Sequence, residues 1–508
     1  MKLSAITLAL ALLLSQGMVE GSTIPGPQKR TTSLLTRPVG FPELPTANEV
    51  RATSAGTGLD FGNVQAFIMV GMQKTREVLV FFEITDAKKF KSKLGTDIHD
   101  RITSAIDILD VETQPLTAVN IAFSQRGLDT LGIKDDLNDS HFRGGQNKDA
   151  VLIGDPGTQN WVKAFTGQSV HGMFTLASDS HDKINNEWKS IVSALGDSIK
   201  EVYRLKGDAR PGNMLGHEHF DYVDGIAQPV VQGYKPPYAG QMVVRPGILL
   251  VGEEGDSVSR PSWAKGGSFA AFRQLKQYVP EYHKFLAENA LSVPGLSKQE
   301  NIDLLGARIV GRWKSGAPVD LRPLRDDPEL GADPTRHNNF TYDHPELSGF
   351  NLKNNQTFCP FAAHTVKSRP RAHFDPEEDV NHIMRAGIPY GPELTEQEKA
   401  SQTTSEDVAL ERGISFVSYQ SNLQNGFIAV QKEFSNNPLF PTGTNIGEDP
   451  LTGSANTGPP GDAPRTVKGL DPLDLEKTIV FKKDMVVSRG GEYFFAPPIS
   501  ALKTRLSQ

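Results

Sequence analysis

Along the chain, short apolar runs are separated by polar turns. The runs Val64–Val70 and Val78–Ile84, joined by the polar stretch Gln73–Arg76, predict two strands. From Asp86 to Leu109 the apolar spacing drifts toward a helical period, Ala118–Phe123 returns to a strand, and another helical stretch begins at Gly127. The second half repeats this grammar. Gly247–Gly252 and Gly267–Phe272 predict strands, Arg273–Ala290 a helix, Ile414–Gln420 a strand and Asn425–Glu433 a helix. Strands that alternate with helices and also pair as neighbours predict two α+β domains. Val119–Gln125 and Phe416–Ser421 each end a strand on a Ser-Gln or Gln-Ser step before a helix, a faint sign of duplication. Residues 436–465, rich in Asn, Pro, Gly and Thr, form an irregular loop of a length that usually accompanies a site.

The N-terminus changes the picture of where this fold works. Lys2, the apolar stretch Leu3–Leu14 and the small residues Gly17, Gly21 and Ser22 fit a cleaved secretory signal at residues 1–22. A dibasic pair, Lys29 and Arg30, fits removal of a short pro-segment after Arg30, residues 23–57 being pro-segment and lead-in. The domains expected after it span 58–230 and 231–508. The protein is therefore expected to be secreted and extracellular. Asn138, Asn339 and Asn355 then become candidate glycosylation sites. A net charge of -7 without a Lys or Arg run argues against a nucleic-acid partner. No later stretch predicts a membrane span, and nothing calls for an obligate protein partner. Cys359 is the only cysteine, so no intramolecular disulfide can form and stability must come from packing.

Three polar clusters carry candidate chemistry. His364 closes the apolar run Phe358-Cys359-Pro360-Phe361-Ala362-Ala363 and precedes Lys367, Arg369 and Arg371. An imidazole at the edge of an apolar wall, with cations just beyond, suits a haem: a nitrogen ligand, dry walls and positive charge for the propionates. A hydrogen-bonded core histidine fits the same residues, and His373 and His382 read as exposed loop residues. The second cluster runs from His217 through Glu218, His219, Asp221 and Asp224 to Gln228 and Pro229. It reads as a constrained loop that can hold a carboxylate for acid–base work, as an Asx turn at Asp224-Gly225, or as a metal site on His217 and His219 with Asp221 or Asp224. The third is Arg385, ahead of a Gly-x-Pro turn, placed either to polarise an anionic ligand or to snorkel from the surface.

In combination these segments resemble the dye-decolourising peroxidases of the fungal secreted type. The stretches HEHFDYVDGIAQP, GRWKSGAP, CPFAAHTVKSRPR, IMRAGIPYGPE and GISFVSYQS stand in that family's order, and the resemblance runs from about residue 60 to the C-terminus. It implies two ferredoxin-like domains, with one haem b per chain in the C-terminal one. By motif position it implies His364 as the axial ligand of the haem iron, Asp224 as the distal acid–base carboxylate and Arg385 as the distal arginine. Ile414 and Phe416 would line the peroxide pocket, and Asp449 is the candidate carboxylate bonded to the imidazole. Tyr390 is the leading candidate for electron transfer at the surface, with Trp161, Trp188, Trp263 and Trp313 as further ones. Substrates would be hydrogen peroxide and bulky aromatic reductants such as dyes and lignin-related phenols, with Mn(II) a further candidate reductant.

The chain departs from the family pattern twice. Asp221 stands where the motif has a glycine, a substitution that a left-handed backbone tolerates better from Asp than from most residues. Val366 replaces an arginine two residues after the histidine, leaving Lys367, Arg369 or Arg371 to contact a propionate. The plant-type secreted peroxidases are excluded, because their disulfides and distal Arg-x-x-Phe-His pattern are missing. In the implied mechanism Asp224 carries a proton between the peroxide oxygens while Arg385 stabilises the charge that develops. A carboxylate base predicts an acidic optimum. The competing readings are a non-catalytic haem carrier, a thiolate-ligated haem on Cys359, and a haem-free metalloenzyme at His217 and His219.

Overall fold

The computed structural model describes residues 33–167, 169–374, 379–454 and 464–508. The expected signal segment and the Lys29-Arg30 pair lie outside the described residues. Two ferredoxin-like units make up the centre. In the first, strands β1 (Arg76–Ile84), β2 (Ala118–Phe123), β3 (Gly172–Ser178) and β4 (Ile199–Asp208) alternate with helices α1 (Ala87–Lys93) and α2 (His181–Leu195). In the second, β5 (Ser268–Gln277), the broken edge pair β6 (Met384–Arg385) and β7 (Ile388–Tyr390), β8 (Gly413–Gln420) and β9 (Val486–Ala496) follow the same order. Here α3 (Val279–Glu288) and the π-wound helix Gln424–Ser435 take the crossover positions. Each unit runs βαββαβ, with spatial strand order fourth-first-third-second.

The two sheets join at their edges. Phe495 of β9 pairs with Phe123 of β2, and Gly207 of β4 pairs with Tyr390 of β7, so the strands close into an antiparallel barrel. Closure explains the sequence of β1, REVLVFFEI, which is nearly all apolar where a one-sided strand would alternate. Leu79 and Phe81 fill the barrel interior with Phe272, Val417, Tyr419 and Phe494. Val78, Val80 and Phe82 face the helices on the outside. In α2, Ile184, Trp188, Ile191 and Leu195 recur at helical spacing on the face that packs there, between an N-cap at Ser180 and a stop at Gly196, φ 60°.

Several elements differ from the sequence expectation. Val64–Val70 forms no strand: its buried end, Phe67–Val70, is one helical turn. Gly247–Gly252 is likewise led by a turn of helix, Pro246–Leu249, begun by a proline at its first position. Such short apolar runs have no period that separates buried helix from buried strand. The helix expected from Arg273 starts only at Val279, because β5 continues to Gln277 and Pro280 favours a helix start there. The stretch after Asp86 is helical only to Arg101. The duplication is real at the level of the fold, but the equivalent of β8 is β3, not β2, so the two segments matched by sequence are not counterparts.

Candidate active site

Between β6 and the helix α3, the second unit inserts a long excursion that contains helix α4 (Lys298–Val310) and the short helix α5 (His364–Ser368). On β5, alternate residues point to the same face. Phe269 and Ala271 pack outward under helices, and Arg273, Leu275 and Gln277 continue that face into a cavity of about 270 Å³. Ile414 and Phe416 of β8, opposite Leu275 and Arg273, extend the same wall. Phe427 and Val430 of the π-wound helix and Leu451 complete an apolar lining.

His364 enters this cavity from α5. Close packing of α5 on α4 depends on Gly311, where φ is 89° and an added Cβ would lie 1.8 Å from Thr365 Oγ1. One ring nitrogen, Nδ1, lies 2.7 Å from Oδ2 of Asp449. Asp449 is fully buried and otherwise satisfied: it accepts from the backbone N–H of Leu451 (2.8 Å) and Thr452 (3.1 Å) and from the Thr452 hydroxyl (3.0 Å). Burial opposes its charge, but the imidazole and these donors outweigh burial and hold its carboxyl at about 2. Burial likewise disfavours charge on His364, yet Asp449 raises its proton affinity. With Nδ1 engaged, Nε2 is left to face a ligand. The long loop 436–465 thus supplies Asp449, Leu451 and Thr452 to the site; its residues 455–463 lie outside the described residues.

Across the cavity, Arg385 Nη1 donates to Oδ1 of Asp224. Gln228 holds Arg385 in place through two main-chain contacts, donating to its carbonyl (2.7 Å) and accepting from its N–H (3.1 Å). Asp224 sits on a narrow hairpin, its N–H donating to the Gly216 carbonyl at 2.9 Å. Asp221 has φ 75°, a left-handed conformation that Asp tolerates better than most residues. Its carboxylate is tied to Arg210 at 3.0 Å, with Lys314 and His283 each at 3.4 Å. Burial opposes that charge, and His283, Lys314 and Arg210 together hold the carboxyl well below the usual range.

Two more groups in the cavity stand out. Glu218 accepts from Phe220 N–H (2.8 Å), Tyr222 N–H (3.0 Å) and Gln277 Nε2 (2.6 Å), yet burial, aided by the charge of Asp224, lifts its carboxyl to about 7. Of the arginines lining the cavity, Arg273 is bound to Asp155 and Arg312 to the carbonyls of Gly316 and His337 and to Asn338. Arg371 donates to the carbonyls of Gly240, Asn338 and Phe340, its guanidinium 3.9 Å from the Phe340 ring centre. Among the described residues, only the Arg369 guanidinium in this set has no hydrogen-bond or ion-pair partner, although burial and neighbouring Arg371 pull its pKa down to about 10. Lys367 is directed elsewhere, to the carbonyls of Asn437 and Phe440.

Other expectations are corrected by burial. Tyr390 is 5% exposed, inside the barrel edge, with its hydroxyl donating to Glu411 at 2.9 Å, so it is not a surface side chain. Of the four tryptophans, Trp263 alone is not buried. His382, expected on an exposed loop, is buried and lines the cavity, and His373 is half-buried. Cys359 is buried against Phe340, Tyr342, Ala363 and Val366 and is absent from the cavity lining; burial pushes its thiol up. The His217–Asp224 cluster fans out: His219 contacts the Tyr390 carbonyl, Asp221 the basic residues and Asp224 Arg385. Among the described residues no group of three or more His, Cys, Asp or Glu is placed to hold a metal ion.

The profile of the DyP dimeric α+β barrel domain matches residues 63–211, and that of the Dyp-type peroxidase C-terminal domain matches residues 250–440. The chain belongs to the dye-decolourising peroxidases. It is similar to Peroxidase 2 of Mycetinis scorodonius, 51% identical over 486 residues and covering 94% of each chain. It is also similar to a dye-decolorizing peroxidase of Auricularia auricula-judae, 47% identical and covering 94% of this chain and 92% of that one. A crystal structure of a decolorizing peroxidase from that fungus superposes with a TM-score of 0.84, covering 89% of this chain and all of the other. A dye-decolorizing peroxidase with an engineered haem pocket, 47% identical, superposes with a TM-score of 0.84. This peroxidase, with its barrel and its apolar cavity, thus shares fold and enzyme class with fungal relatives over most of its length.

Proposed function

We propose that the cavity binds one haem b and that the chain reduces hydrogen peroxide while oxidising bulky aromatic compounds. One observation carries the reading: a histidine anchored through Nδ1 to a buried carboxylate faces an Arg–Asp pair across a largely apolar cavity. His364 would hold the iron through Nε2, Ile414, Phe416, Phe427 and Leu451 would wall the macrocycle, and the unpartnered Arg369 would meet a propionate. Haem supplies the redox-active iron.

The chain's own groups handle the proton and the charge. Asp224, as a carboxylate, accepts a proton from one peroxide oxygen and returns it to the other. Arg385, fixed by Gln228, stabilises the negative charge that grows as the bond between the oxygens weakens. A haem carrier needs neither group. The thiolate and metal alternatives lose support because Cys359 lies outside the cavity lining and the histidines of the second cluster diverge.

Reconstituted protein with one haem per chain, a Soret band and peroxide-dependent dye bleaching is the expected result. His364→Ala should lose tight haem; retention of both haem and turnover refutes the assignment. Secretion is proposed on the leader at residues 1–22 and is tested by N-terminal sequencing of protein from culture medium. Mn(II) oxidation belongs in the same turnover assay as a separate reductant.

A further inference from the structure

The lead-in before the barrel packs directly behind the distal carboxylate. Residues 34–44 form a strap tied to the first unit: Leu34 N–H donates to Gln114 Oε1 (2.9 Å), Thr36 N–H to the Gln73 carbonyl (3.2 Å), and Gln73 Nε2 to the Pro42 carbonyl (2.9 Å). Lys235 Nζ fastens its far end at the Glu43 carbonyl (2.6 Å). Between these anchors a turn closed by Phe41 N–H on the Pro38 carbonyl drives the Phe41 ring inward, where it is 3% exposed.

That ring packs against both strands of the hairpin that carries Asp224. At Gly225, φ 110°, an added Cβ would fall 2.6 Å from Cε1 and 2.8 Å from Cζ of Phe41. At Gly216, whose carbonyl receives the Asp224 N–H, an added Cβ would fall 2.4 Å from Pro38 and 3.1 Å from Phe41. The two glycines thus leave the space that the strap fills. Strap and hairpin border a second small, partly open cavity of about 30 Å³, lined by Thr36, Pro38, Phe41, Glu218 and Asp224 together with Lys74 and Ile414, which has room for about one water molecule.

We infer that Phe41 is a positioning residue for the distal carboxylate, and that the strap completes the peroxide pocket from behind. The inference rests on the reading of Asp224 given above. A glycine beside the reacting carboxylate has the freest backbone in the loop, and contact with a rigid ring removes that freedom. Misplacing a reacting group by about 1 Å costs on the order of a hundredfold in rate. Phe41 does not touch peroxide; it acts through Gly225.

The test uses haem-loaded full chain carrying Phe41→Ala or Phe41→Leu, with Asp224→Asn alongside. Haem content, the second-order rate constant for peroxide, KM for a reducing dye and the association rate of cyanide, whose proton also needs a distal acceptor, are measured. Phe41→Ala should slow peroxide and cyanide at least tenfold with haem content and dye KM unchanged, and Phe41→Leu should return both rates to within threefold of the parent. Parental rates in Phe41→Ala, or a loss that Phe41→Leu does not restore, overturn the inference. If Phe41→Ala yields no holoprotein, Phe41→Val is judged by the same tenfold criterion. A parental peroxide rate in Asp224→Asn would instead overturn the reading of the site, whereas a defect there and none in Phe41→Ala rejects the strap alone.

Discussion

Replacing Glu218 with Gln should make the protein's stability markedly less dependent on pH. Glu218 is 9% exposed, and its folded carboxyl is raised from 4.5 to about 7, chiefly by burial and further by Asp224, against the pull of the Phe220 and Tyr222 N–H groups and Gln277. A group raised in the folded state leaves stability intact below its unfolded value and removes it as pH climbs through the folded one. The window is therefore pH 4.5 to 7, and the full displacement corresponds to about 3 kcal/mol. Gln is neutral throughout, so it forfeits part of the hydrogen bonding at every pH but contributes no slope. Denaturant unfolding of both proteins at pH 4 and pH 8 reads this group together with its coupling to Asp224, because titrations that do not couple to Glu218 cancel in the difference of differences. The parent should lose about 3 kcal/mol more than Glu218→Gln between those pH values. A double difference under about 1 kcal/mol would refute the argument that burial dominates this carboxylate.

Asp449→Asn removes the anion behind His364, so transfer of haem to an acceptor such as apomyoglobin should speed up about 10- to 100-fold; an unchanged rate would show that Asp449 does not set the histidine's affinity. Inside the barrel, Lys74 and Glu77 form an ion pair with both side chains 1% exposed. Glu77→Ala should cost roughly 3–5 kcal/mol in denaturant unfolding, because it strands a buried ammonium, and a loss below about 1 kcal/mol contradicts that account. Cys359→Ala should leave the Soret band of the reduced carbon monoxide complex where it was, whereas a shift of that band would place sulfur on the iron.

The site was more legible in the sequence than the fold around it. Local context alone left His364, Asp224 and Arg385 open, to a core histidine, an Asx turn and a snorkelling arginine; the order of five motifs shared with a known family singled them out, and the folded chain lines one cavity with all three. Asp449 could be singled out although it lies 85 positions from His364, the separation across which their hydrogen bond forms. The contributions of Glu218 and Gln228 were harder to read, since a Glu or Gln beside a motif looks the same whether it faces solvent or holds a neighbouring backbone. Arg369 and Lys367 are two positions apart with the same charge; which one reaches the cavity is decided by the turn of α5. Tyr390 read as a surface residue because its burial depends on the joining of β4 to β7, a contact between residues 207 and 390. For the same reason the barrel itself was hidden: two edge pairings, each of one residue pair, close it.

Asp224 carries the proposed proton transfer. Haem-loaded Asp224→Asn keeps the cavity, His364 and Arg385 but removes the acceptor for the peroxide proton, and stopped-flow absorbance at the Soret band reads its reaction with hydrogen peroxide directly. The second-order rate constant should drop by about 10²- to 10⁴-fold while haem content stays at one per chain. A variant that binds haem and reacts with peroxide at the parental rate would contradict the assignment of the proton transfer to this carboxylate.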